Sequence, residues 1–376
     1  MDKKEFIPVC TPCFIGNEER YTAEAVSTAW VSSSGAFITK FEEAFSEYCG
    51  VRHGVTTSNG TTALHLALLA LGIGEGDEVI LPDFTMVAVL ASILYVGAIP
   101  VFVDVEADTW CLDTAKLEEK VSAKTKAIFA VHTYGHPVDM EPLWALAKKH
   151  NLYVIEDAAE AHGGEYQGRR TGSLSDISCF SFFGNKIITT GEGGMVLTDD
   201  EALADRCRYF KNLCFSPTGP RDYVHEDLGY NYRMTNVQAA IGLAQVECIE
   251  ELVAGRIRNA KQYNELLAGV PGIRLPVEKT YAKNVYWMYG VLIDESEFGL
   301  TRDDLMLRLK EEGIDTRYFF KPLHSQPLLR KRGISVSEAF PISERLAKEG
   351  MYLPSSSALR EDEVSRVCES IKRARK

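Results

Sequence analysis

The sequence predicts an α/β protein: a large domain on a mostly parallel sheet, followed by a smaller α+β domain. Over the first two-thirds of the chain, short Val/Ile/Leu runs alternate with helical patterns, as in sheets covered by helices on both faces. After about residue 234 the alternation gives way to long helical periodicity. The 376 residues, 45% of them hydrophobic, supply core for roughly two domains. The expected division is 1–250 and 251–376.

The elements follow in order. His53–Ser58 reads as a strand and Thr61–Gly72 as a helix ending at a glycine cap. Glu78–Pro82 is a strand before a helix over about 85–96. Ile99–Val105 is a strand and Asp113–Val121 a helix. Thr125–His132 is a strand, Met140–Asn151 a helix and Leu152–Ala158 a strand. Met234–Val270 reads as one nearly unbroken helix bridging the two domains. Val285–Ile293 is strand-like, Arg302–Gly313 helical and Asp315–Phe320 strand-like. Ligand groups in such sheets gather at the strands' C-terminal ends.

Composition narrows the function. A net charge of −12 argues against a general affinity for nucleic acid or anionic membrane. An anionic small substrate stays open, because helix N-termini and a few local cations suffice to bind one. No apolar run approaches the roughly 20 residues of a membrane span. The opening stretch MDKKEFIPVCTPCF lacks a signal-peptide core. Nine scattered cysteines fit reduced thiols in the cytoplasm. Cys10 and Cys13 form one C-x-x-C with no second pair, which reads as packing thiols, and no metal is expected. G-x-G-x-x-G and Walker A fingerprints are missing.

Three stretches point to one chemistry. In SNGTTALHL a strand ends at Ser58 and Gly60 opens a helix, which makes an anion site or an ordinary capped helix. In LYVIEDAAEAHGG, Asp157 ends an apolar strand. Its carboxylate needs a partner there, either a turn amide or a protonated ring nitrogen. In SFFGNKIITTGEGGM, Lys186 lies between an aromatic strand and a Gly-rich turn. Taken alone it is a surface charge, a phosphate contact or a desolvated nucleophilic amine. Jointly the three supply a phosphate cradle, a carboxylate for a pyridinium nitrogen and a Schiff-base lysine. Pyridoxal 5′-phosphate (PLP) needs those three groups.

These stretches, with YTAEAVSTAWVSSSGAFITKFEEAFSEYCG, GYNYRMTNVQAAIGLAQ and GIDTRYFFKPLH, make nearly the whole chain similar to the DegT/DnrJ/EryC1/StrS family of PLP-dependent sugar aminotransferases, of fold type I. FFGNKIITTGEGG with NYRMTN most resembles its 4-aminotransferase branch. The resemblance implies that Lys186 carries the cofactor and that Asp157 pairs with the ring nitrogen. It implies that Glu160 approaches the 3-hydroxyl, and that Gly60, Thr61 and Ser181 hold the phosphate. Asn231 would reach in from a neighbouring subunit of a homodimer with shared sites. Met86 stands where relatives stack an aromatic residue on the cofactor, with Phe84 a possible substitute. His132, Arg317 and His324 match positions near the sugar nucleotide. The implied reaction moves the amino group of L-glutamate, through the pyridoxamine form of the cofactor, to C4 of a nucleotide-linked 4-keto-6-deoxy sugar. GDP-4-keto-6-deoxy-D-mannose is the leading substrate and GDP-perosamine the product, an O-antigen sugar of lipopolysaccharide being one expected end use. The alternatives are C4 or C3 amination of a UDP- or dTDP-linked keto sugar, and a non-catalytic regulatory protein on the same fold. Sugar dehydratases of this kind carry histidine at the lysine position, so Lys186 argues against that reaction.

Overall fold

The computed structural model describes residues 5–215 and 223–375; the first four residues of the opening stretch lie outside them. Nine strands come in the first part of the chain. They are β1 (His53–Thr57), β2 (Glu78–Pro82), β3 (Ile99–Val103), β4 (Thr125–Val131), β5 (Tyr153–Asp157), the short β6 (Glu165–Tyr166) and β7 (Arg169–Arg170), β8 (Ile177–Ser181) and β9 (Gly194–Thr198). Seven of them form one sheet in the order β1-β9-β8-β5-β4-β2-β3. Only β9 runs against the others in that sheet, pairing antiparallel with both β1 and β8. β8 and β9 are buried along their whole length, as strands covered on both faces must be.

The Gly60–Leu71 helix shows how local chemistry places the site. Asn59 Oδ1 accepts from the Thr62 amide at 2.9 Å, and the Thr62 hydroxyl accepts from the Asn59 amide at 3.2 Å. This reciprocal cap fixes where the helix begins. Gly72, at φ 74°, ends it. The helix N-terminus therefore starts directly after β1.

The second part carries β10 (Ile273–Arg274), β11 (Ala282–Lys283), β12 (Tyr289–Ile293), β13 (Arg317–Tyr318) and β14 (Gly350–Leu353). β11 joins β6 and β7, and the others form an antiparallel sheet, β10-β12-β14-β13. Residues near the start of the chain are woven into this second unit. The Ile7 amide donates to Gly313 O and its carbonyl accepts from Asp315, both at 2.9 Å. Val9 O accepts from the Ser355 amide at 2.9 Å, and Thr11 O from the Ser356 hydroxyl at 2.8 Å.

Four expected elements differ. Asp113–Val121 is not an α-helix but two 3-10 turns, Thr114–Lys116 and Glu118–Lys120. Leu117 is its one fully buried anchor, too little to hold so short a helix. The bridging helix is broken at Cys248 (φ −113°, ψ 9°) into Asn236–Glu247 and Ile249–Leu267. Only 289–293 of the 285–293 stretch is strand, because Tyr286 takes φ 47° and the Val285 amide bonds to Gly135 O instead of a ladder. Of 315–320, only Arg317 and Tyr318 pair.

Candidate active site

Four strand ends converge on one rim of the large sheet. β5 ends on Asp157 and β8 on Ser181, while His132 follows β4 and Asp83 follows β2. Lys186 lies in the turn after β8, its amide bonded to Phe183 O at 2.9 Å. Its side chain is 10% exposed, and Nζ stands 3.9 Å from Glu160 Oε1. Burial lowers the pKa of the amine, against the pull of Glu160 and Asp157. Burial raises the pKa of both carboxyls, against the pull of Lys186. A lowered pKa brings the neutral amine, a nucleophile and proton acceptor, within easier reach.

The two carboxyls are held differently. Glu160 Oε2 accepts from the Tyr134 amide at 2.8 Å. Tyr134 takes φ 53° to aim that amide, a left-handed conformation uncommon for a bulky residue. Asp157 Oδ1 accepts from the Ala159 amide at 3.1 Å, and no other donor reaches its carboxyl among the described residues. One oxygen thus remains for a protonated partner.

Behind Asp157 lies a fully satisfied buried network. Glu156 accepts from the amides of Gly172 (2.7 Å) and Leu174 (2.8 Å), from the Ser175 hydroxyl (2.9 Å) and from His132 Nε2 (2.9 Å). His132 Nδ1 accepts from the Val138 amide at 3.1 Å, so Nε2 carries the proton. The His132 amide donates to Asp157 O at 3.1 Å. His132, expected near the sugar nucleotide, is fully buried with both ring nitrogens engaged, and it braces the strand end that carries Asp157.

The candidate anion cradle is a close approach of helix start to strand end. A Cβ at Gly60 would stand 2.7 Å from the Cβ of Ser181, so only glycine fits there. The amides of Gly60 and Thr61 have no acceptor within their own helix. The Ser181 hydroxyl accepts only a long bond from the Phe183 amide, 3.3 Å, and its own proton is free to turn toward a ligand. The Ser58 amide donates to Tyr232 O at 2.8 Å, which ties the Asn231 loop to the same turn. Asn231 itself is exposed and accepts from Arg233 Nε at 2.9 Å.

Met86 is 49% exposed at the start of the Val87–Tyr95 helix. Phe84 is fully buried among Tyr134, Phe319 and Phe320 and is not free to stack on a ligand. Arg317 is exposed and bonded to Asp315 and Thr316 O. His324 is pinned by Asp83, whose two carboxylate oxygens take the His324 amide and Nδ1, each at 2.7 Å. The sequence reading missed Trp287, Arg256 and Tyr134, which surround Lys186 and Glu160. No spacing signals them, because their neighbours are distant in the chain. All nine cysteines are free thiols, and no group of three or more His, Cys, Asp or Glu among the described residues could hold a metal.

Comparison with known proteins places this arrangement. The sequence model of the DegT/DnrJ/EryC1/StrS aminotransferase family matches residues 12–372. The chain is 45% identical over 367 residues to GDP-perosamine synthase of Escherichia coli O157:H7, covering 98% of both chains. It is 46% identical to GDP-perosamine synthase of Caulobacter vibrioides, covering 96% of both. Among solved structures, S. venezuelae DesV in complex with a ketimine intermediate superimposes with a TM-score of 0.89 at 34% identity, over 95% of this chain and 94% of that one.

Proposed function

The chain belongs to the DegT/DnrJ/EryC1/StrS aminotransferase family, and from that membership we propose that it moves the amino group of L-glutamate to C4 of GDP-4-keto-6-deoxy-D-mannose, giving GDP-perosamine. Near-full-length likeness to two GDP-perosamine synthases supports the substrate. The chemistry is supported by one observation above all: the Lys186 amine is buried beside two carboxyls whose burial, like its own, disfavours charge.

The residues fit PLP. Bound PLP supplies an aldehyde that takes up amino groups and a ring that draws electrons from the adjoining carbon. Lys186 would hold the cofactor and, when its amine is free, its Nζ would take up and return the proton that moves in the reaction. Asp157 keeps the ring nitrogen protonated through its unpartnered oxygen. Glu160, fixed by the Tyr134 amide, faces the 3-hydroxyl. The Gly60 and Thr61 amides and the Ser181 hydroxyl bind the phosphate, and Asn231 completes that site from a second copy of the chain in a homodimer. Arg317 and His324 face the sugar nucleotide, with Met86 beside the ring. Reduced thiols suit a cytoplasmic reaction; no helix among the described residues is long and apolar enough to cross a membrane.

The test is substrate profiling. Purified protein, glutamate and PLP are incubated with GDP-, UDP- and dTDP-linked 4-keto-6-deoxy sugars, and 2-oxoglutarate and the amino sugar are measured. The GDP sugar should lead in kcat/KM by at least about tenfold, which is about 1.4 kcal/mol of transition-state discrimination. A UDP or dTDP sugar in the lead would reassign the substrate. Cofactor binding without turnover of any sugar would favour a regulatory protein.

A further inference from the structure

Trp287 borders Lys186 and has no part in the reading above. It is 4% exposed, and Lys186 Nζ lies 3.5 Å from the ring centroid, well within cation–π reach. The indole is anchored without using its face. Nε1–H donates to Asn185 O at 2.8 Å, and the Trp287 carbonyl accepts from Arg256 Nη1 at 3.0 Å. Arg256 is itself buried and spends its other nitrogens on the Ser357 hydroxyl and Cys10 Sγ. The ring is therefore held rigid, with Tyr134 tilted against it at a centroid distance of 6.2 Å and no hydrogen bond spent on its face. Lys186 Nζ makes no hydrogen bond among the described residues, and its carboxylate contact with Glu160 is a loose 3.9 Å. The ring face is its nearest fixed partner.

We propose that Trp287 is a positioning residue that holds the free Lys186 amine on its ring face during the part of the cycle in which the lysine carries no covalent bond. The proposal rests on the reading of Lys186 as the cofactor-bearing amine. A four-carbon stem released from a covalent bond gains rotamer freedom and would leave the site unless something retained the amine. A hydrogen-bonded carboxylate would retain it as a committed ammonium. A π face attracts the ammonium without a directional bond that must be broken when the amine moves. The titratable groups around the amine are Glu160 and Asp157, Cys10 and Arg256, and His162. Burial and Arg256 lower the amine's pKa, and Glu160, Asp157 and Cys10 oppose this; a π face under the ammonium adds to the opposition.

The full-length enzyme is loaded with pyridoxamine 5′-phosphate, so that Lys186 is free, as wild type, Trp287→Phe and Trp287→Leu. Competitive acetylation with acetic anhydride across a pH series, read on the Lys186 peptide by mass spectrometry, gives the amine's pKa in each. Both variants lose the bond to Asn185 and shrink the side chain, so a purely structural role lowers Tm in both and moves the lysine equally. The proposal expects the Phe variant, which keeps a π face, to hold the Lys186 pKa about half a unit or more above the Leu variant. Equal values, or a lower value in the Phe variant, overturn it. Borohydride reduction of the PLP-loaded wild type and peptide mapping check the underlying reading. Label on another lysine sinks that reading and the proposal with it, whereas label on Lys186 with equal pKa values sinks the proposal alone.

Discussion

Burial pushes Lys186, Asp157 and Glu160 toward neutrality, the lysine and the two carboxyls pull one another toward charge, and Asp157 adds to the neutral bias of Glu160, which is what a site for proton traffic requires. His162 differs, because Lys186 and Arg256 push it the same way as its burial and only the Ser181 backbone opposes them. It is fully buried, its ring nitrogens have no hydrogen-bond partner among the described residues, and Phe180, Phe182 and Phe45 surround it at centroid distances of 5.2, 5.7 and 6.2 Å. Burial lowers its pKa from 6.5 to about 3. The folded-state value lies below the unfolded one, so the unfolded chain takes the proton first as pH falls. The stability from keeping the ring neutral is present above pH 6.5 and drains away toward pH 3. At pH 5 the loss from this group is about 2 kcal/mol. His162→Leu, close in volume and without a polar atom to strand, should raise Tm, and by more at pH 5 than at pH 7.5. Thermal melts at the two pH values check this; an equal shift at both would show that His162 finds a partner in solution.

At the scale of elements, the site depends on one helix start meeting one strand end. Gly60→Ala places a Cβ 2.7 Å from that of Ser181, and the Gly60–Leu71 helix must draw back from β8. Alanine favours the helix, so the fold should survive with Tm within a few degrees. PLP affinity should fall at least about tenfold, a loss of about 1.4 kcal/mol that fluorescence titration can read. Unchanged affinity would place the phosphate elsewhere. This junction was legible in the sequence, because strand, cap and helix are local signals that agree. Asp157 and Lys186 were legible for the same reason, each ending or following an apolar strand. The break at Cys248 was not, since the apolar period runs on through it. The burial of His132 was hidden as well, because Glu156 and the Val138 amide claim its ring only in three dimensions. Trp287 and Arg256 carry no local mark at all: one sits in a strand-like run, the other on an amphipathic helix.

For the whole molecule, the loop around Asn231 is the informative surface. Its backbone is tied down at Tyr232, yet Leu228 (80%), Tyr223 (75%) and Val224 (65%) are exposed, as is Trp30 (58%). Apolar groups presented on tethered segments suit a second subunit. Mixing Lys186→Ala with Asn231→Ala chains and allowing subunit exchange should restore activity to about a quarter of the wild-type level. In random mixing half the dimers are hybrids, and one site in each hybrid carries neither lesion. No recovery, with hybrids shown to form and each variant folded, would mean that every chain builds its own site. The strap formed by Ile7, Val9 and Thr11 has a consequence of another kind. It leads into Cys10, whose Sγ lies 3.5 Å from Asn185 O beside Lys186. Its docking partners, Gly313, Asp315, Ser355 and Ser356, lie about 300–350 residues further along the chain. At ribosomal elongation rates the strap waits on the order of 20–70 s for them. The wall made first is thus sealed only after those distant segments have been synthesised, and a nascent chain cannot complete the site before then.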